Sequence, residues 1–393
     1  IAWRGRGNRG YWQHWGERAA FTRPDGPFDV WIHAVSVGEA RASVPLIQSF
    51  LMQSRRVLVT CTTPTGRQTL TSLLHDRVTL CYLPYDAPWL ISQFLRAAKP
   101  ALAVLLETEL WPGVCDEAKR AKVPVWLVNA RLSQRSARGY GRGGALTRAM
   151  LGCLTGVAAQ TEDHAARFRA LGASNVHVTG NTKFDIALPD DIDVQSAELA
   201  MHLTQGRVFW VAASTREGEE ALLLDALMAH PLRGNAVAVI VPRHPERWDV
   251  ALELARQRGF RVARRGDAQI PEDTEVIIGN SMGEMLAYCA RAQIVVMGGS
   301  LGGTGSQNLI EPCALGVPVV LGPSVFNFQQ AADEAIAAGA AVSVVDAAAA
   351  LDATLRWLED EASRVSAGLR AKEFVAAHRG ATERTMTLLA SHP

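Results

Sequence analysis

Gly298-Gly299-Ser300-Leu301-Gly302-Gly303-Thr304-Gly305, continued by Ser306-Gln307-Asn308-Leu309-Ile310-Glu311-Pro312, decides how this 393-residue chain is read. The apolar run 294–297 before it reads as a buried strand, and the segment after it opens a helix. Five glycines in eight positions leave backbone amides uncovered at a strand-to-helix turn. Such amides attract phosphate. Glu311 falls on the opening turn of the helix, where a carboxylate can accept hydrogen bonds from sugar hydroxyls. The turn points to a nucleotide carrying a sugar.

Outward from that turn, short apolar runs alternate with helix-period segments along the chain. Strands are expected over 30–35, 57–60, 78–83, 101–106, 123–128, 156–159 and 176–179. A second series covers 208–213, 236–241, 261–263, 275–278, 294–297, 317–321 and 341–345. That alternation belongs to parallel sheets built from strand-helix units, and the length exceeds what one core ordinarily holds. The expected fold is α/β, with two Rossmann-like, doubly wound domains. They cover 1–187 and 207–393, with room for the last helix to pack back on the first. Between them 188–206 reads as a linker, because Pro189, Asp190, Asp191 and Asp193 break the apolar pattern. Open parallel sheets bind ligands beyond the carboxyl ends of their strands, so motifs there should face a common cleft.

Composition narrows the partners. A formal charge of +1 argues against a nucleic-acid binder, whose domain carries a clear basic excess. Six cysteines show no C-x-x-C pairing, so neither a zinc site nor a disulfide framework is indicated. No P-loop or H-E-x-x-H pattern occurs, and neither a metal nor a cofactor is expected. No apolar run reaches the roughly 18 residues that span a bilayer. The stretch from Trp3 to Trp12 nevertheless mixes arginine with tryptophan, as a membrane-water interface does. With Ile at position 1, it reads either as a frayed, solvated terminus or as the remainder of a segment that followed a hydrophobic anchor.

Several strand ends carry polar motifs, each with two readings. Ser36-Val37-Gly38-Glu39 has the S-x-x-E spacing of a capping box, and it also places a lone carboxylate where a general base could work. In Glu107-Thr108-Glu109-Leu110-Trp111-Pro112 two carboxylates stand so close that each needs its own partner. Either both cap the next helix, or one acts on substrate or a cation. Arg131, Arg135, Arg138, Arg142 and Arg148 make a basic run without an acid, suited to solvent or to an anionic substrate. Gly139, Gly141, Gly143 and Gly144 argue against a regular exposed helix there. Lys183 either reaches a phosphate or pairs with Asp185 at the surface. Ser214 and Thr215 can donate to phosphate, while Pro242 and Pro245 stiffen the loop carrying Arg243. Met282, Gly283 and Glu284 follow another strand of the same half.

Taken together these motifs resemble the 3-deoxy-D-manno-octulosonic acid (Kdo) transferases of Gram-negative bacteria, which are GT-B glycosyltransferases. The likeness runs through Ser36 to Glu39, Thr63-Pro64-Thr65-Gly66, Leu83-Pro84-Tyr85-Asp86, Glu107 to Pro112, Asn129-Ala130-Arg131-Leu132-Ser133 and Lys183-Phe184-Asp185. In the second half it covers Pro242 to Arg247, Met282 to Glu284, Gly298 to Leu301 and Asn308 to Glu311. The resemblance implies transfer of Kdo from CMP-Kdo to the lipid A precursor at the cytoplasmic face of the inner membrane, through an N-terminal anchor absent here. It implies Glu39 as general base, with Glu107 and Lys183 stabilising the transition state. Pro242, Arg243, Met282, Gly283, Glu284, Asn308, Leu309, Ile310 and Glu311 are then the CMP-binding residues. Ser214, Thr215, Arg131 and Arg135 remain candidates for acceptor or phosphate contacts. The chain departs from the family at Ser306-Gln307, where Gly-His is usual, and at Asn280-Ser281, where Asp-Thr is usual. Another GT-B nucleotide-sugar transferase or epimerase, or a non-catalytic nucleotide or lipid binder, is the competing reading.

Overall fold

A computed structural model describes residue 10 and residues 13–391. The arginine- and tryptophan-rich stretch 3–12 lies, Gly10 apart, outside them. The chain divides into two compact units, one of residues 1–186 with 378–393 and the other of 187–377.

The first unit holds seven parallel strands: β1 (Phe28–His33), β2 (Val57–Cys61), β3 (Thr79–Tyr82), β4 (Pro100–Leu106), β5 (Val125–Ala130), β6 (Gly156–Ala159) and β7 (Val176–Val178). Their order in the sheet is β3-β2-β1-β4-β5-β6-β7. Side chains alternate across a strand, so Trp31 packs on one face with Phe94 and Leu105, while Val30 and Ile32 pack on the other with Ile47 and Phe50. Both faces are covered, which is why these strands read as unbroken apolar runs.

The second unit repeats the plan with β8 (Phe209–Thr215), β9 (Val237–Pro242), β10 (Val262–Arg264), β11 (Val276–Ile278), β12 (Val295–Met297), β13 (Val319–Leu321) and β14 (Ala341–Ser343). Its order is β10-β11-β9-β8-β12-β13-β14, again all parallel. Every expected strand is present, with ends displaced by at most two residues. In each sheet the chain reverses its direction of travel once, between β1 and β4 and between β8 and β12. Ligands of open parallel sheets bind at such switch points. The Ser36–Glu39 and Glu107–Glu109 motifs leave one of them, and Ser214-Thr215 and the glycine-rich turn leave the other.

Two expectations fail. Residues 188–206 are no linker, since they carry helix Ile192–Thr204, which belongs to the second unit. Ile192, Leu199 and Leu203 form its buried stripe, and Arg291 donates to Ser196 Oγ at 3.3 Å and to the Asp193 carbonyl at 3.2 Å. The acids that looked like a break sit at its solvent-facing start. The glycines after Arg138 also fail to prevent a helix, and one runs over Gln134–Arg142. Ser133 caps it by accepting from Ser136 N at 3.0 Å, and Ala137 and Tyr140 pack against the core. Tertiary packing there outweighs the propensity cost of the glycines.

The last helix, Ala381–Ala390, lies in the first unit. Asp185 accepts from Gly380 N at 2.7 Å and Thr382 N at 2.6 Å, so a side chain just after the short turn that follows β7 caps it. Arg384 Nε donates to the Thr179 carbonyl at 2.9 Å, and His378 stacks on Phe184 with ring centres 4.7 Å apart.

Candidate active site

Glu39 stands on the first turn of helix Val37–Met52, directly after β1, and is nearly buried. Ser36 is the N-cap; its hydroxyl accepts from Glu39 N at 3.4 Å and donates to Glu39 Oε1 at 2.9 Å. Oε2 accepts from Val35 N at 2.8 Å. The capping box is thus real, but the carboxylate reaches the amide one residue earlier than the usual box does. Thr63 pins the same loop by donating to the Val35 carbonyl at 3.0 Å.

Glu107 follows β4 with φ at 57°, and its carboxylate is buried between two cations. Lys183 Nζ lies 2.6 Å from Oε1 and Arg131 Nε 2.8 Å from Oε2. Neither glutamate of this motif caps the next helix, Pro112–Arg120; Asp86 does so, accepting from Gly113 N at 3.0 Å and Val114 N at 2.9 Å. Glu109 takes Trp111 Nε1 at 2.9 Å. Lys183 sits on the short turn Thr182–Phe184, which is tied down twice. Thr182 N donates to Asn129 Oδ1 at 3.1 Å, and Thr182 Oγ1 donates to the Ala42 carbonyl at 3.0 Å. The pairing of Lys183 with Asp185 does not form, because Asp185 serves the last helix. Arg135 is exposed on its helix and joins none of these contacts.

These neighbours drive the two key carboxyls apart. Burial pushes Glu39 up to about 7, the charges of Glu107 and then Glu109 adding to the push against the hydrogen bonds from Val35 and Ser36. Burial would raise Glu107 too, but Lys183 and Arg131 overcome it and hold that carboxyl below the usual range. Two carboxyls so separated in one site can take different protonation roles near neutral pH.

The second unit treats its carboxylates differently. The glycine-rich turn follows β12, and helix Ile310–Leu315 carries Glu311 in its first turn, as the sequence implied. The amides of the turn are already taken, however. Glu219, fully buried at the start of helix Glu219–Met228, accepts from Gly299 N at 2.6 Å and from Leu301 N and Gly302 N at 2.9 Å each. Arg216 N adds a fourth bond at 2.8 Å. The expectation that these three amides hold a phosphate is therefore overturned, since an internal carboxylate fills the cradle. A Cβ at Gly298 would strike the Ser214 carbonyl, which accounts for glycine at that position.

Glu220, also fully buried, accepts from Thr215 Oγ1 at 2.9 Å and pairs with Arg247 Nη2 at 3.0 Å. The Thr215 hydroxyl is thereby committed within the protein. Ser214 has φ at 56°, and Arg243 N donates to the Thr215 carbonyl at 2.9 Å, which joins two of the expected nucleotide loops. Glu284 pairs with Arg265 Nη2 at 3.0 Å, Met282 is exposed, and Gly283 has φ at 87°. Asn308 Oδ1 accepts from Ile310 N at 3.1 Å. Leu309 and Ile310 are core residues without exposed surface, and Pro242 is buried, so the structure places these three predicted contacts inside the unit. Sequence reasoning quoted Asp86 without giving it a role and missed Glu219 and Glu220. The signal for the last two was two adjacent acids opening a largely apolar helix one short loop after β8.

Known proteins resemble this chain over most of its length. The family described as 3-Deoxy-D-manno-octulosonic-acid transferase (kdotransferase) matches residues 13–186. A 3-deoxy-D-manno-octulosonic acid transferase of Bordetella pertussis is 41% identical over 372 residues, covering 92% of this chain and 86% of that one. The chain belongs to the Kdo transferase family. A member from Haemophilus influenzae is 34% identical over 92% of this chain and 87% of its own. Among solved structures, the UDP-GlcNAc 2-epimerase of Neisseria meningitidis bound to UDP-GlcNAc superposes with a TM-score of 0.62, covering 92% of this chain and 99% of that one. Its 17% identity makes that a likeness of fold, and the fold is GT-B. No helix among the described residues is long and apolar enough to cross a membrane.

Proposed function

We propose that this chain transfers Kdo from CMP-Kdo to the lipid A precursor in lipopolysaccharide synthesis, inverting the anomeric centre, with Glu39 as general base. The observation that carries the reading is the Glu39 carboxyl, raised to about 7 at a sheet switch point beside a Glu107 kept ionised by two cations. An acid with that affinity is half ionised near neutral pH, which is where a general base works best. Its ionised form takes the proton of the acceptor hydroxyl as that oxygen bonds to the anomeric carbon of Kdo. The bond from that carbon to the CMP phosphate oxygen breaks, and the electron pair leaves with the phosphate.

Lys183 and Arg131, from two different loops that meet at Glu107, supply positive charge suited to an anionic substrate or the charge that builds up in the transition state. Family membership supports the donor and the acceptor. In the second unit Arg243, Met282 to Glu284, Asn308 and Glu311 are the donor-binding set on this reading. The lipid acceptor puts the reaction at the cytoplasmic face of the inner membrane, with no resident metal or cofactor in the step.

Incubation with CMP-Kdo and lipid A precursor is the test. The wild-type protein should release CMP and yield a Kdo-bearing lipid. Glu39→Gln should fold and bind CMP while losing about 10²- to 10⁴-fold in turnover. Wild-type turnover in that variant would remove Glu39 from the chemistry, and absence of transfer by the wild-type protein in vesicles would remove the reaction itself.

A further inference from the structure

The clasp formed by Glu219 has a shape ordinarily made for a ligand. Backbone amides of Gly299, Leu301 and Gly302 converge on one carboxylate, as they would on a phosphate in an anion nest. Nothing in the proposed chemistry uses this side chain. A second anion cannot share those donors with it, so the clasp is no site in its own right.

What the clasp does is fix the path of the turn. Gly299 has φ at 78°, and a Cβ there would strike the Gly305 carbonyl. Gln307 N donates to the Gly298 carbonyl at 2.9 Å, and Gly305 N donates to Ser324 Oγ at 3.2 Å. Ser300 Oγ accepts from Gly322 N at 2.8 Å. The chain leaving this ring of bonds is Asn308 to Glu311. We propose that Glu219 is a positioning residue of the donor site, an internal anion that holds the glycine-rich turn so that Asn308 and Glu311 meet the nucleotide in one geometry. This rests on the CMP-Kdo reading above.

Glutamine at 219 keeps the volume but turns an NH₂ toward N–H donors, leaving at least one amide without an acceptor. Gly302→Ala disturbs the clasp from the opposite side, because its Cβ would lie 3.0 Å from Glu219 Cγ. Glu275→Gln is the control for lost stability alone: Glu275 pairs with Arg233 Nε at 2.8 Å just before β11, at the end of the sheet away from the donor loops.

CMP affinity by calorimetry, steady-state kinetics with CMP-Kdo and melting temperature are measured for all four proteins. Glu219→Gln should weaken CMP binding and raise the KM for CMP-Kdo about tenfold, as one lost buried hydrogen bond does, with kcat within about threefold. Gly302→Ala should shift the same two quantities less, and Glu275→Gln should lower the melting temperature without moving either. If Glu219→Gln fails to fold, Gly302→Ala decides alone. Variants that melt lower yet bind CMP as the wild type does overturn the inference. A wild-type protein that binds no CMP and transfers no Kdo overturns the functional reading instead.

Discussion

Glu39 in the first unit and Glu219 in the second are built into the same kind of place. Each stands at the start of the helix that follows a switch-point strand, β1 or β8, and each reaches back to an amide of the preceding loop, Val35 N or Arg216 N. Their fates differ through their remaining neighbours. Glu219 gains three further amides from the glycine-rich turn, so its bonding capacity is filled by the fold. Glu39 gains only the Ser36 hydroxyl and faces Glu107 and Glu109, whose charges oppose its own ionisation. One carboxylate has become structure and the other is held ready to take a proton. Neither role follows from the local motif: a capping box did not preclude a base, and a glycine-rich turn did not leave a phosphate site open.

The sharpest way to break this contrast lies in the ion pair that keeps Glu107 charged. Lys183→Met removes one of its two cations, leaving Arg131. Loss of one partner of a buried pair costs up to several kcal/mol; with Arg131 still in place, about 1–3 kcal/mol is expected in chemical denaturation. Turnover should fall about 100-fold, as it does when one fixed charge is removed from a transition state. Lowered stability with unchanged kcat would make the Glu107 pair as structural as the Glu219 clasp, and the contrast would collapse.

Much of the fold was legible because its strands are buried on both faces and therefore read as continuous apolar runs. What could not be read were partnerships across sequence. Lys183 meets Glu107 over 76 residues, Glu219 meets Gly299 over 80, and Asp185 caps a helix that starts nearly 200 residues later. Local pattern named Glu39, Glu107 and Lys183 as polar groups at strand ends, and the family likeness gave them roles. Which carboxylate has its bonding capacity filled depends on how many donors the folded chain brings to it. The helix over 192–204 was missed for a related reason: its acids were weighed locally, while Leu199 and Leu203 had a partner surface only in the folded unit.

A smaller effect tests the cap itself. Ser36→Ala removes both the N-cap acceptor and the hydroxyl that donates to Glu39 Oε1. The cap is worth about 0.5–2 kcal/mol, which should appear as a lower melting temperature. The base form of Glu39 is the ionised one, so kcat should rise with pH through about 7 in the wild-type protein. The Ser36 bond favours that ionised form, and its loss should move this limb upward. A stability loss with an unmoved limb would mean that the titrating group is not Glu39.

The smallest effect carries the opposite sign and closes the test. Glu109 adds negative charge near Glu39 and so helps to raise it, while its own carboxyl is raised first by burial, with the Trp111 bond opposing and the Glu107 charge adding. Glu109→Gln keeps an oxygen for Trp111 Nε1 and removes only the charge. The rising limb of kcat should then move downward, by a few tenths of a pH unit for like charges in a partly solvated site. Because Ser36→Ala must push the limb up and Glu109→Gln must draw it down, a common stability defect cannot mimic both. Shifts of the same sign in the two variants would show that the rate reports some other group, and Glu39 would then stand beside Glu219 as part of the scaffold.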